Sequence, residues 1–286
     1  MEISFKASQS FCLREGWLQK ALIEIKHRPN TNVFSKKDGV VYLGIGSNMV
    51  TSLKYWLEAA NILNPGVRNV SELTDFGKLI SKYDPFLENT ICWQMIHVNL
   101  VSNFSSAPLY WCLFNLFGGE ESFSKESFVE DVSNYLLKKR YNISRKYIED
   151  DFSVLVRSYI ASGKSDPEDN MDCPLSYLGL LHSLSRDQFR KSPISLELLS
   201  PFVVLWQIYK IAKKKKSIDF ETLANYENGP CSMFNIDRNS LMAVISRLSN
   251  LNKLSIVKTA GLNTIYLNSD EYSLKDMFSD CFGEKR

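Results

Sequence analysis

Residues 42–63 read "YLGIGSNMVTSLKYWLEAANIL". Two glycines run straight into an amphipathic stretch, and the meaning of that turn decides the fold class. A dinucleotide-binding turn requires G-x-G-x-x-G after a strand, and Met49 stands where the third glycine would be. No G-x-x-x-x-G-K-[ST] run exists to cradle phosphates either. The turn therefore reads as the start of a helix in a helix-turn-helix. Gly44 closes the preceding element, Ile45 packs inward, and Ser47 caps a helix over Ser47–Ile62. Val50, Leu53, Leu57 and Ala60 recur at helical spacing as its buried stripe. Asn48, Thr51, Ser52 and Tyr55 fall on the other side. With Ser47, they are short hydrogen-bonding side chains near a helix N-terminus, where a recognition helix meets base edges and phosphates. The competing reading is a packed helix whose polar face is merely solvated.

Working outward, "LREGWLQKALIEIKH" before this stretch is a helix through Leu18, Leu22 and Ile25, stopped by "RPN" at 28–30. "VFSKKDGVVYLG" reads equally as a short helix or a strand. After Asn64-Pro65-Gly66, "VSELTDFGKLIS" reads as a strand or turn returning to the helix, as in the wing of a winged helix. Residues 1–83 are thus expected to form a winged-helix-like DNA-binding domain.

Residues 84–198 read as a helical middle domain. "DPFLENTICWQMIHVNLVS" is one helix begun by Pro85, and "PLYWCLFNLF" a second. "SKESFVEDVSNYLLKKRY" is a third, capped by Ser124 or alternatively by Ser127, and "SRKYIEDDFSVLVRSYI" a fourth, capped by Ser144. Ser162–Asp172 is a polar loop, and "PLSYLGLLHSL" is a short apolar element. Residues 199–286 form a second winged-helix-like domain. "SPFVVLWQIYKIAKK" is a helix with Pro201 in its first turn, and "SIDFETLANY" starts another. Asp237 begins a third, Asp237–Leu251, with Leu241, Val244, Ile245 and Leu248 on one side. "LSIVKTAGLNTIYL" is a hairpin turning at 260–263. The expected class is mainly α with small β-hairpins: winged-helix-like units at both ends of a helical middle.

The formal net charge of +2 hides an asymmetry. Residues 1–83 hold eleven Lys/Arg against seven Asp/Glu, residues 84–198 eleven against sixteen, and residues 199–286 twelve against nine. Basic ends suit a polyanion such as double-stranded DNA; the acidic middle suits folding or protein contacts. In the third unit, Arg238, Asn239 and Arg247 face outward on the expected helix, and Arg and Asn read guanine and adenine edges well. Lys258 sits in the expected wing. Lys213, Lys214, Lys215 and Lys216 follow a helix end, either as phosphate contacts or as charges favourable to the helix C-terminus.

Catalysis has no legible signature. His27, His97 and His182 are far apart and lack zinc-type spacing. The carboxylate groups at Asp84 with Glu88, at Glu149-Asp150-Asp151 and at Glu168-Asp169-Asp172 suit helix surfaces and caps. A nicking enzyme would need two or three of them to converge on Mg²⁺. The six cysteines include no C-x-x-C pair, no apolar run has the length of a membrane span, and no signal pattern opens the chain, so a cytoplasmic protein is expected.

"FCLREGWLQKAL", "LGIGSNMVTSLKYWLEAANIL", "LTDFGKLI", "YDPFLENTICWQMIH", "FNLF" and "MDCPLSYLGLL" occur in an order that resembles the bacterial family of the domain of unknown function four thousand and seven. The resemblance runs from about residue 5 to about residue 210. The family's usual "GVGKNMV" is "GIGSNMV" here, so Ser47 replaces a lysine. The resemblance implies a role in a DNA phosphorothioation system, an antiviral defence of restriction-modification-like logic that replaces a non-bridging phosphate oxygen by sulfur. It implies as partners a cysteine desulfurase, an ATPase and a sulfurtransferase related to phosphoadenosine-phosphosulfate reductase, and an association with DNA nicking. It carries no nicking residue onto this chain. The alternative is a non-catalytic winged-helix regulator or adaptor.

Overall fold

The structure is a computed structural model that describes residues 3–66, 69–117, 122–161, 172–259 and 262–283. The chain begins with four helices: α1 (Trp17–His27), α2 (Gly39–Leu43), α3 (Ser47–Ala59) and α4 (Asp75–Tyr83). The glycine turn resolves in detail. Gly44 ends α2 in the left-handed region at φ 62°, where glycine avoids the Cβ clash. Gly46, extended at φ −63° and ψ 156°, is the N-cap of α3, so Ser47 is the first helical residue rather than the cap. The helix stops at Ala59, short of the expected Ile62, because Asn61 turns left-handed at φ 58°. The Ile62 and Leu63 amides both bond back to the Leu57 carbonyl there.

From Asp75 onward the expected first wing is a helix. The Thr74 side chain accepts the Gly77 amide at 3.0 Å and caps α4. A Cβ on Gly77 would lie 2.2 Å from the Ile62 carbonyl oxygen, so glycine lets α4 approach the end of α3 directly. Among the described residues of 3–83, strand pairing is limited to one bridge, Leu63 with Leu73. A good N-cap and a close tertiary contact outweigh the short β-like pattern.

The middle of the chain adds α5 (Thr90–Ser102), α6 (Pro108–Asn115), β1 (Ser122–Ser124), α7 (Lys125–Lys138) and α8 (Arg145–Tyr159). A 3-10 turn (Pro174–Leu178) and strands β2 (Leu181–Ser185) and β3 (Gln188–Lys191) follow. Helix α5 starts at Thr90 rather than Pro85. The buried Asp84 carboxylate accepts the Glu88 and Asn89 amides, both at 3.0 Å, and holds 84–89 as a turn, while Asn89 caps the helix. Ser124 and Ser127 form a capping box on α7. The antiparallel sheet β1-β3-β2, with Phe123 opposite Phe189, is absent from the sequence reading. Strands of three to five residues leave too few alternations to register as a period.

The last stretch contains α9 (Pro201–Ala212), β4 (Ser217–Asp219), α10 (Phe220–Ala224), α11 (Pro230–Phe234), α12 (Arg238–Asn250), β5 (Leu254–Thr259), β6 (Leu262–Leu267) and α13 (Leu274–Phe282). Asp237 caps α12 through the Ser240 amide, and the expected apolar stripe of that helix is buried. The hairpin β5–β6 forms with Ile256 opposite Ile265, and β4 joins its other edge in the order β4-β6-β5. The hairpin's expected turn residues 260 and 261, the expected loop from 162 to 171 and the carboxylates Glu168 and Asp169 lie outside the described residues. Among the described residues, no helix is long and apolar enough to cross a membrane.

One contiguous core runs from Leu13 to Phe278. At its centre His97 of α5 is fully buried. Its Nε2–H donates to the Met233 carbonyl and its Nδ1 accepts from the Tyr159 hydroxyl, both at 2.7 Å, which fixes a neutral ring. Burial lowers its pKa from 6.5 to about 4. The unfolded chain thus binds more protons between those values. Stability is complete above pH 6.5 and falls as the pH drops towards 4, by about 3 kcal/mol in total. Asp151 acts in the opposite sense. Burial raises its pKa from 3.8 to about 6, so its contribution is complete below 3.8 and lost as the pH rises to 6. Urea titrations between pH 7 and pH 4.5 test this pair. Asp151→Asn should steepen the acid loss, and His97→Gln should abolish most of it. An unchanged profile in His97→Gln would refute the assignment.

Candidate nucleic-acid interface

An open groove of about 1000 Å³ lies where α4, α9 and the start of α13 meet. It is built by aromatic docking. Phe278 of α13 packs on Phe76 and Tyr83 of α4, with ring centroids 6.1 and 5.6 Å apart, while α13 also rests on α9. The first and last stretches of the chain are thereby held side by side. Trp206, Tyr209, Leu79, Tyr272 and Leu274 line the groove, together with five lysines, Lys78, Lys210, Lys213, Lys214 and Lys275, and three carboxylates, Asp75, Asp270 and Glu271.

The end of α9 sets the lysines. Lys213 is its C-cap at φ 48°, and Lys214 continues left-handed at φ 68°. Two successive non-glycine residues in that region cost on the order of 1 kcal/mol each. The Lys216 carbonyl then accepts the Leu267 amide at 2.9 Å, which begins the β4–β6 ladder and ties the turn to the sheet. The Lys210 ammonium lies 4.4 Å from the Trp206 ring centroid, and no carboxylate pairs with it among the described residues. Its pKa is lowered by partial burial, which disfavours the charged form. Lys78 shares the exposed Asp75 at 3.4 Å, and Lys216 reaches Asp270 at 3.6 Å from outside the groove lining. Pairs this exposed are worth little and exchange readily for phosphate.

The residues singled out in the sequence separate into three places. Lys213 and Lys214 line the groove, whereas Lys215 and Lys216 are exposed beside it. Ser47, Asn48 and Thr51 are exposed on the first turns of α3 and do not line it. Ser52 and Tyr55 do not share their face. Ser52 is fully buried, its hydroxyl without a hydrogen-bond partner among the described residues. The Tyr55 hydroxyl donates to the Ser106 carbonyl at 2.9 Å and lines a small cavity with Tyr110 and Asp151. Positions 52 and 55 of α3 turn towards the neighbouring parts of the fold. In the third group, Arg238 is held by Glu221 at 3.1 Å and by the Asn225 side chain at 2.8 Å, and Arg247 donates to the Leu196 carbonyl at 2.8 Å. Asn239 and Lys258 are exposed.

Lys78, Lys210, Lys275 and Tyr272 escaped the sequence reading. Lys210 lies three residues before Lys213, one helical turn along the same face, and that spacing was a usable signal. Lys275 follows the capping serine of α13, Ser273. Nothing local links either of them to Lys78.

Among the described residues, no three His, Cys, Asp or Glu side chains are grouped so as to hold a metal ion. The free cysteines are buried or half-buried, and burial raises the pKa of each, most modestly at Cys12.

Comparison with known proteins adds the relatives. A solved structure described as "SspB crystal structure" superposes with a TM-score of 0.83 at 22% identity, over 98% of this chain and 88% of that one. A "Magnesium ion-bound SspB crystal structure" gives a TM-score of 0.81 at 20% identity, over the same shares. At such identities the likeness establishes the fold. A search of curated proteins finds no match. The pattern of the family described as "Protein of unknown function (DUF4007)" matches residues 5–281, and the chain belongs to that family.

Proposed function

We propose that the chain is the DNA-binding component of a DNA phosphorothioation defence system and that the lysine groove between α4, α9 and α13 holds the phosphate backbone. The observation that carries this reading is the groove itself. Five lysines from three separated segments meet over an aromatic floor, and Lys210 has no carboxylate partner among the described residues. The two basic ends of the sequence would then grip one polyanion together. Membership of the family and the fold shared with SspB support the biological setting. In that setting the expected partners are a cysteine desulfurase, an ATPase and a sulfurtransferase related to phosphoadenosine-phosphosulfate reductase.

The same reading takes residues 199–286 as a winged-helix unit. In its support, α9, β4, α10, α11, α12, β5 and β6 follow in the order helix, strand, three helices, two strands, with the sheet order β4-β6-β5. Helix α12 would be its recognition helix and the β5–β6 hairpin its wing, with Asn239 and Lys258 as the exposed contacts. Residues 1–83 would add the exposed Ser47, Asn48 and Thr51, and residues 84–198 would be the helical middle. No cleavage step is assigned to any residue of the chain.

Binding to a labelled duplex, read by fluorescence anisotropy across a salt series, tests the groove. The double variant Lys213→Glu with Lys214→Glu should weaken binding at least about tenfold on every sequence. It should also lower the slope of log K against log salt by about 0.9 for each phosphate that is no longer neutralised. Lys215→Glu with Lys216→Glu, outside the groove lining, should do less. Equal effects from both pairs would make the groove irrelevant and leave only bulk charge.

Helix α3 gives a paired test. Asn48→Ala and Thr51→Ala should leave the melting temperature nearly unchanged, since exposed changes stay within about 0.5 kcal/mol. Leu53→Ala should cost about 2–5 kcal/mol through a core cavity. If Asn48→Ala and Thr51→Ala also bind every duplex like the parent, α3 is structural and base recognition rests on Asn239 and the hairpin.

A further inference from the structure

A second groove, about 300 Å³, lies between the start of α1, the 84–89 turn and the 3-10 turn at Pro174–Leu178. We propose that it docks a segment of a partner protein carrying an arginine beside an apolar side chain. Phe86 and Tyr177, 55% and 58% exposed, stand on its walls. The buried Trp93 lines it between them.

Phe86 is held outward by construction. Asp84 grips the Glu88 and Asn89 amides, and Leu87 takes a left-handed φ of 53°. The Leu87 carbonyl accepts the Trp93 indole N–H at 2.9 Å. Leu87 is therefore driven into the core while its neighbour Phe86 is turned to solvent. An aromatic ring presented on a rigid turn loses little entropy on contact, as an interface anchor requires.

Charge identifies the occupant. Glu15 and Glu88 are the charged residues of the lining, both exposed and neither in an ion pair among the described residues. The Tyr177 phenol has its pKa raised by partial burial and then by the carboxylates of Glu15 and Asp172, which puts acidic charge beside that ring. A cation entering here meets aromatic faces and carboxylates together, and a guanidinium uses both. A nucleic-acid backbone would be repelled. A two-fold contact between copies of this chain would set Glu15 and Glu88 against the same carboxylates of its mate. A foreign cationic segment remains, and it would bind where the start of α1 meets the acidic middle of the chain.

The test uses a fluorescein-labelled hexapeptide, Gly-Phe-Arg-Leu-Gly-Gly, and the same peptide with glutamate replacing arginine, titrated against the full chain. The arginine peptide should bind saturably and the glutamate peptide should not. Phe86→Ser, Tyr177→Ser and Glu88→Lys should each weaken binding by about tenfold or more. Thermal melting should confirm that these exposed-site variants are folded. Absence of saturable binding overturns the proposal, as does binding that ignores all three variants. Sedimentation that reveals a dimer abolished by Phe86→Ser assigns the face to a second copy and overturns it too.

Discussion

The neutral imidazole of His97 is the point on which the assembly turns. It lies in α5, accepts a hydrogen bond from the Tyr159 hydroxyl of α8 and donates one to the Met233 carbonyl of α11. Three segments separated by 62 and 136 positions are joined through one ring. An unpaired polar atom at this depth would cost on the order of 1–3 kcal/mol. The phenol, the ring and the carbonyl therefore specify one another. Phe114 and Phe234 pack against the same ring, so the hydrogen bonds sit inside an aromatic shell that excludes water.

From that centre the two grooves follow by packing. Helix α13 returns across the molecule and inserts Phe278 between Phe76 and Tyr83. Without that contact the lysines of α4 and α9 would lie on separate elements, each a weak solvated charge. With it they face one groove, and their fields add. The left-handed turn at Lys213 and Lys214 is a local cost borne by the surrounding sheet and helix. Such strain is consistent with a turn whose side-chain direction matters. The acidic groove is separate in construction, since the Asp84 turn and the Pro174–Leu178 turn shape it and none of its lining residues belongs to the lysine groove.

Much of this was legible along the chain. Ser124 and Asp237 each announced a helix start because a cap is a matter of three or four consecutive residues. The stripes of α3 and α12 and the pairing of β5 with β6 were likewise local periodicities. The ordered motifs pointed to the family that the match over residues 5–281 establishes. The misreadings came where two local signals competed. At residues 70–81 a β-like pattern lost to the Thr74 cap and the Gly77 approach, and at Pro85 a helix-start signal lost to the Asp84 turn.

The sequence by itself determined the helical class, the glycine turn as a helix junction rather than a phosphate loop, and the basic character of both ends. Those properties depend on residue type and near spacing. Tertiary structure alone decided which charges share a surface. Ser52 and Tyr55 look polar and outward in sequence yet face neighbouring parts of the fold, because the width of a buried stripe depends on what packs against it. Lys78 and Lys275 share a groove although 197 positions separate them, because Phe278 docks on α4. Local energies set each element's form, whereas the meeting of distant side chains follows from burying a common apolar core, and no spacing in the chain records that encounter.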